Sequence, residues 1–148
     1  MSRMIAMSAL LAASLTGVAG AQEAAPQFVT QTTTNGVIQL SARAFEEGNY
    51  DRAASMARQA AERPISPSRR AAAYGNLCAA ESMLGNHDAA IAACEAAIEH
   101  RNSWEVQTNY GSALYQAGRS AEAAAVFSYA AQIAPGEAAT QANLALAN

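Results

Sequence analysis

The chain contains no lysine: all nine basic residues among its 148 are arginine. Chemistry that depends on a lysine amine, whether Schiff base, P-loop or general base, is therefore excluded. Charge is sparse too. Charged residues make up 14% and the net charge is −3, so no basic footprint for nucleic acid is present. Aromatics amount to 6% and β-branched residues are few, which removes the usual strand formers. Leu and Ile are too thinly spread for a sustained heptad seam, which argues against a coiled coil. No apolar run reaches the ~20 residues that span a bilayer.

What the chain has instead is alanine. Its 40 alanines supply more than half of the 51% hydrophobic share. Alanine is the best helix former but buries little area, so the composition points to an all-α chain, and the length suits one domain.

Residues 1–21 read as a secretory signal. Arg3 supplies the positive start, Met4 to about Val18 the apolar stretch, and Ala19-Gly20-Ala21 a small-residue cleavage site before Gln22. The stretch is broken by Ser, Thr and Gly, and no cysteine stands just after the cleavage site, so neither a membrane anchor nor a lipoprotein is expected. The mature chain has no integral membrane segment. Such a short signal is of bacterial type and directs the protein to the periplasm, an oxidising compartment for Cys78 and Cys94. Residues 22–34 are polar, carry a three-threonine run and show no helical period, and are expected to form a flexible arm.

Three segments then align on a glycine followed by a short polar turn and alanines at fixed offsets: Gly48 to Ala53, Gly85 to Ala90 and Gly118 to Ala123. The glycines are 37 and 33 residues apart. Apolar or small residues recur at helical spacing on both sides, as in Val37, Leu40 and Ala44 upstream and Ala53, Ala57 and Ala60 downstream. Two amphipathic helices per unit follow, joined by a glycine in the left-handed conformation that ends the first.

In these residues the chain resembles the tetratricopeptide repeat family, a helix-turn-helix of about 34 residues. Small residues fall at repeat position 8 (Ser41, Cys78, Gly111), glycine at 15, and alanine at 20 (Ala53, Ala90, Ala123) and 27 (Ala60, Ala97, Ala130), with Pro135 at 32 of the third unit. The resemblance implies a right-handed α-solenoid with repeats at 35–64, 71–102 and 104–135 and a capping helix at 137–148. An insertion through Arg70 departs from the pattern and is expected to spread the first pair from the second. Ser66-Pro67-Ser68 reads as a helix start.

The resemblance also implies contact between positions 8 and 24, and hence a disulfide between Cys78 and Cys94. Closing a loop of that length contributes about 3 kcal/mol in the chain-entropy model. The alternative is a pair of reduced cysteines serving as small core residues. Without C-x-x-C a redox-active pair is disfavoured, and the order Cys78, His87, Cys94, His100 lacks the close spacings of structural zinc. No nucleophile motif is present. No catalysis, metal or cofactor is therefore expected.

In the resembled family, the first helices of successive repeats line a concave surface that takes a peptide. Carried over, the candidate partner-binding residues are Ile38, Phe45, Ser82, Met83, Thr108, Ser112, Tyr115 and Gln116. The same faces carry Ile38, Ala42, Asn76, Glu105 and Asn109 but none of the basic residues of a carboxylate clamp. The expected role is a non-catalytic periplasmic module that binds a protein or peptide segment. The alternative is an assembly factor that docks through an end-face or forms a homo-oligomer; a metal or redox protein using the cysteines ranks last.

The register carries its own test. Ala90→Leu and Ala123→Leu each place a larger side chain where paired helices must touch, and each is expected to destabilise by roughly 1–3 kcal/mol, seen as a lower thermal midpoint.

Overall fold

The computed structural model describes residues 24–147. The secretory signal expected at 1–21 and the first two residues of the arm, Gln22 and Glu23, lie outside the described residues. Among the described residues there are seven helices and no strand: α1 (Gly36–Glu46), α2 (Tyr50–Ala61), α3 (Pro67–Met83), α4 (His87–His100), α5 (Trp104–Gln116), α6 (Ser120–Ile133) and α7 (Ala138–Leu146). They form three antiparallel pairs stacked into an α-solenoid, with α7 against the last pair. No helix among the described residues is long and apolar enough to cross a membrane.

The glycines close each pair as the sequence requires. Gly48, Gly85 and Gly118 have φ of 75°, 77° and 78°, a region where only glycine avoids a Cβ penalty. Around Gly48 the Asn49 N–H donates to Ala44 O at 2.8 Å and the Gly48 N–H to Phe45 O at 2.9 Å. These bonds satisfy the last carbonyls of α1 and turn the chain into α2. The same two bonds recur at Gly85 and Gly118.

Small residues let the helices of a pair meet. Ala53, Ala57, Ala90, Ala93, Ala113 and Ala123 are buried in one cluster with Leu77, Ile91, Leu114 and Phe127. The insertion before Arg70 does not spread the first two pairs. Its residues become an extra first turn of α3, which starts at Pro67, with Ser66 Oγ accepting from the Arg69 N–H at 3.4 Å. Ala60 and Ala61 of α2 then meet Ala72 and Ala73 of α3 in a second buried cluster with Ile38. The ion pair of Arg58 with the buried Glu81 also joins α2 to α3, and Asn86 Nδ2 donates to the other Glu81 carboxylate oxygen at 2.7 Å.

Repeat positions 8 and 24 are filled differently in each pair. The first pair carries Ser41 and Ala57. In the second, Cys78 and Cys94 are joined by a disulfide across a Cα–Cα distance of 5.2 Å. In the third, the Phe127 ring lies directly on the α5 backbone at Gly111, where a Cβ would stand 2.5 Å from two ring carbons.

That contact gives a sign prediction. Gly→Ala inside a helix ordinarily gains up to about 1 kcal/mol, but at Gly111 overpacking costing about 1–3 kcal/mol outweighs it. Gly111→Ala is expected to lower stability in denaturant melts. In a Phe127→Ala background the same change is expected to be neutral or stabilising, which a double-mutant cycle reads as positive coupling.

Candidate functional site

The first helix of each pair, with α7, faces a concave groove, and an extended segment of the chain's own N-terminal arm lies in it. The expectation of a flexible arm therefore gives way to an ordered one. Its order rests on main-chain hydrogen bonds, which leave no periodic side-chain pattern to read.

Three buried asparagines hold the arm. The Gln27 N–H donates to Asn143 Oδ1, the Val29 N–H to Asn109 Oδ1 and the Gln31 N–H to Asn76 Oδ1, each at 2.7 Å. Each asparagine returns a bond from Nδ2 to the carbonyl of the same arm residue, at 2.9 Å to Gln27, 2.8 Å to Val29 and 2.9 Å to Gln31. An amide is the side chain suited to this, since it offers an acceptor and donors side by side. The two-point pairing on every second residue is the pattern by which one β-strand reads the edge of another.

The second N–H of each amide is also used. Asn76 donates to Ser41 Oγ at 2.9 Å, Asn109 to Gly75 O at 3.1 Å and Asn143 to Ser112 Oγ at 3.0 Å. These bonds fix the amide planes before anything lies on them. α1 supplies a partial fourth rung, in which Gln39 Nε2 donates to Thr33 O at 2.7 Å. Gln39, Asn76, Asn109 and Asn143 occupy the same repeat position, two residues before position 8, and meet arm residues 33, 31, 29 and 27. The arm thus runs opposite to the order of the helices. Gly75 lets it lie close, since a Cβ there would stand 3.1 Å from Gln31 Nε2.

At its downstream end the arm turns into α1 through Asn35, whose Oδ1 accepts from the Val37 and Ile38 N–H groups at 3.0 and 3.2 Å. Arg69 Nη2 donates to Thr34 Oγ1 at 2.6 Å. The adjacent Arg70 donates to Arg63 O at 3.0 Å, beyond the end of α2. At the other rim Phe28 meets Phe45 edge-on at 6.5 Å, and Phe45 in turn packs on Tyr50 at 5.2 Å.

The expected groove residues divide. Ser112 Oγ lies 2.6 Å from Gln27 O and 2.9 Å from Thr108 O, and Phe45 holds Phe28. Tyr115 and Gln116 border a depression beside Ala24, Ala25 and Pro26. Ile38, Ser82 and Thr108 are buried with the arm in place. Ile38 packs between α1, α2 and α3, and the Thr108 hydroxyl donates to Trp104 O at 2.7 Å. Met83 is exposed at the end of α3. The sequence reading missed the rungs themselves. The available signal was the recurrence of an amide residue at one repeat position in all four units.

Groups with shifted titration lie in α5, in α6 and in the turn between them. Burial, and then the neighbouring Glu95 carboxylate, raises Tyr110 above the usual phenol range. The hydrogen bond between Arg119 and Glu122 raises the first and lowers the second. The thiols are joined in the disulfide and are not free as thiolate ligands.

Asn109→Ala removes the central pair. Amide exchange at Gln27, Val29 and Gln31 is expected to accelerate about tenfold, the equivalent of one or two net hydrogen bonds. Exchange in α4 is expected to stay unchanged, as NMR can resolve.

A family model described as a tetratricopeptide repeat matches residues 39–104 and 84–138. No curated protein matches the chain.

Proposed function

The chain belongs to the tetratricopeptide repeat family, and from that premise we propose that it is a non-catalytic module of the bacterial periplasm that binds an extended polypeptide segment in its concave groove. Repeats of this family serve protein–protein interaction, and the observation that carries the finer reading is the amide ladder. A groove whose buried asparagines pair with both main-chain groups of every second residue is built for a strand-like segment. Main-chain pairing supplies affinity while side-chain contacts select, and here Phe45 and Tyr115 stand beside the track. The export signal at 1–21 supports the location, and a disulfide in the second pair suits an oxidising compartment.

The test is capture from periplasmic extract, using bait whose intact mass places its N-terminus at Gln22. Proteins retained by the wild-type chain are expected to be lost from Asn76→Ala/Asn109→Ala and reduced with Phe45→Ala/Tyr115→Ala. Equal capture by the wild type and both variants would defeat the concave-face reading.

A further inference from the structure

We propose that residues 24–34 are an internal stand-in for the partner's segment, so that the groove is gated and a partner enters by displacing the arm; this rests on the reading of the groove as a peptide site. The arm shows what chemistry the groove accepts. The segment is extended and presents both main-chain groups of three residues at i, i+2 and i+4 to Asn143, Asn109 and Asn76. It carries no charged side chain, as neutral amides allow. Its one aromatic, Phe28, lies between the first two rungs and meets Phe45. Proline is excluded at the rung positions, where each N–H is used, whereas Pro26 sits just before them without cost. The partner inferred is therefore an uncharged, extended segment of another polypeptide. It has an aromatic after its first rung residue, no proline on the rungs, and its N-terminal end at α7.

The manner in which the arm is held makes it replaceable. No residue from 24 to 34 is fully buried, whereas Asn76, Asn109 and Asn143 beneath it are at most 1% exposed. The solenoid core is closed without the arm, through clusters whose fully buried residues all lie in helices. Release therefore exposes amides that water can satisfy rather than an apolar core, which is the character of a low-stability unit. A segment tethered this closely also acts at millimolar effective concentration, so a partner in trans meets a strong competitor until the arm is loosened.

The test uses the full chain and a fluorescent peptide of sequence 24–34, followed by anisotropy. Val29→Pro removes the N–H that Asn109 accepts, in a segment outside every helix; Gln31→Pro is the second release variant. Both are expected to bind the peptide at least tenfold more tightly than the wild-type chain. Adding Asn109→Ala to Val29→Pro is expected to weaken binding at least tenfold, and a peptide with Phe28→Ala to bind several-fold less well. Equal affinity for the wild type and both release variants overturns the gate and leaves the peptide site standing. Absence of binding to release variants that melt like the wild type removes the peptide site itself.

Discussion

The close approach of paired helices at Ala53, Ala90 and Ala123 sets the spacing on which the rest of the molecule depends. Alanines line the contact of the first pair with the second, and successive first helices stand in register along one face. That register puts Gln39, Asn76, Asn109 and Asn143 in line. A solenoid is a sum of nearest-neighbour contacts, and the ladder runs across all of them: Gln27 and Asn143 are 116 residues apart in sequence. Position 8 beneath the ladder shows how much freedom the rule leaves. Serine, a bonded cysteine and glycine each keep the helices close, by small volume, by a covalent link and by admitting a ring.

A groove read by amides differs in kind from one read by charges. Its bonds are short-ranged and little screened by salt, and they go to atoms that every residue except proline carries in full. Affinity then comes from the conformation of the bound chain rather than from its sequence. Selectivity is left to the rim, where Phe45 and Tyr50 form one aromatic contact chain with Phe28.

The helices and turns were legible because their causes are local. A glycine forced to positive φ, and alanines repeating at fixed offsets from it, leave a signature that needs no partner to interpret. The contact of Cys78 with Cys94 was implied by the family resemblance, which brings positions 8 and 24 together. The site was less legible for a physical reason. Asn76 alone on a helix reads as an ordinary polar residue, and its role appears only when the same position is compared across four units. The arm leaves still less trace, since a strand bound through its main chain can carry almost any side chains, and Gln31-Thr32-Thr33-Thr34 looks like a linker. Ile38, Ser82 and Thr108 do not stand out as groove residues because packing takes Ile38 into the alanine cluster of α2 and α3, and the Thr108 hydroxyl turns back to Trp104 O.

The arm's polarity has a kinetic consequence. Its downstream end is continuous with α1 through Asn35, while at α7 the bonds to Asn143 and Ser112 hold it noncovalently. In the displacement proposed above, with the signal removed, the arm peels from α7 toward α1, one rung at a time. An incoming segment needs only the Asn143 rung as a toehold, after which each further rung is a trade of like bonds. Exchange by such branch migration never exposes the whole groove, and its rate is set by the first step rather than by the strength of the complete ladder.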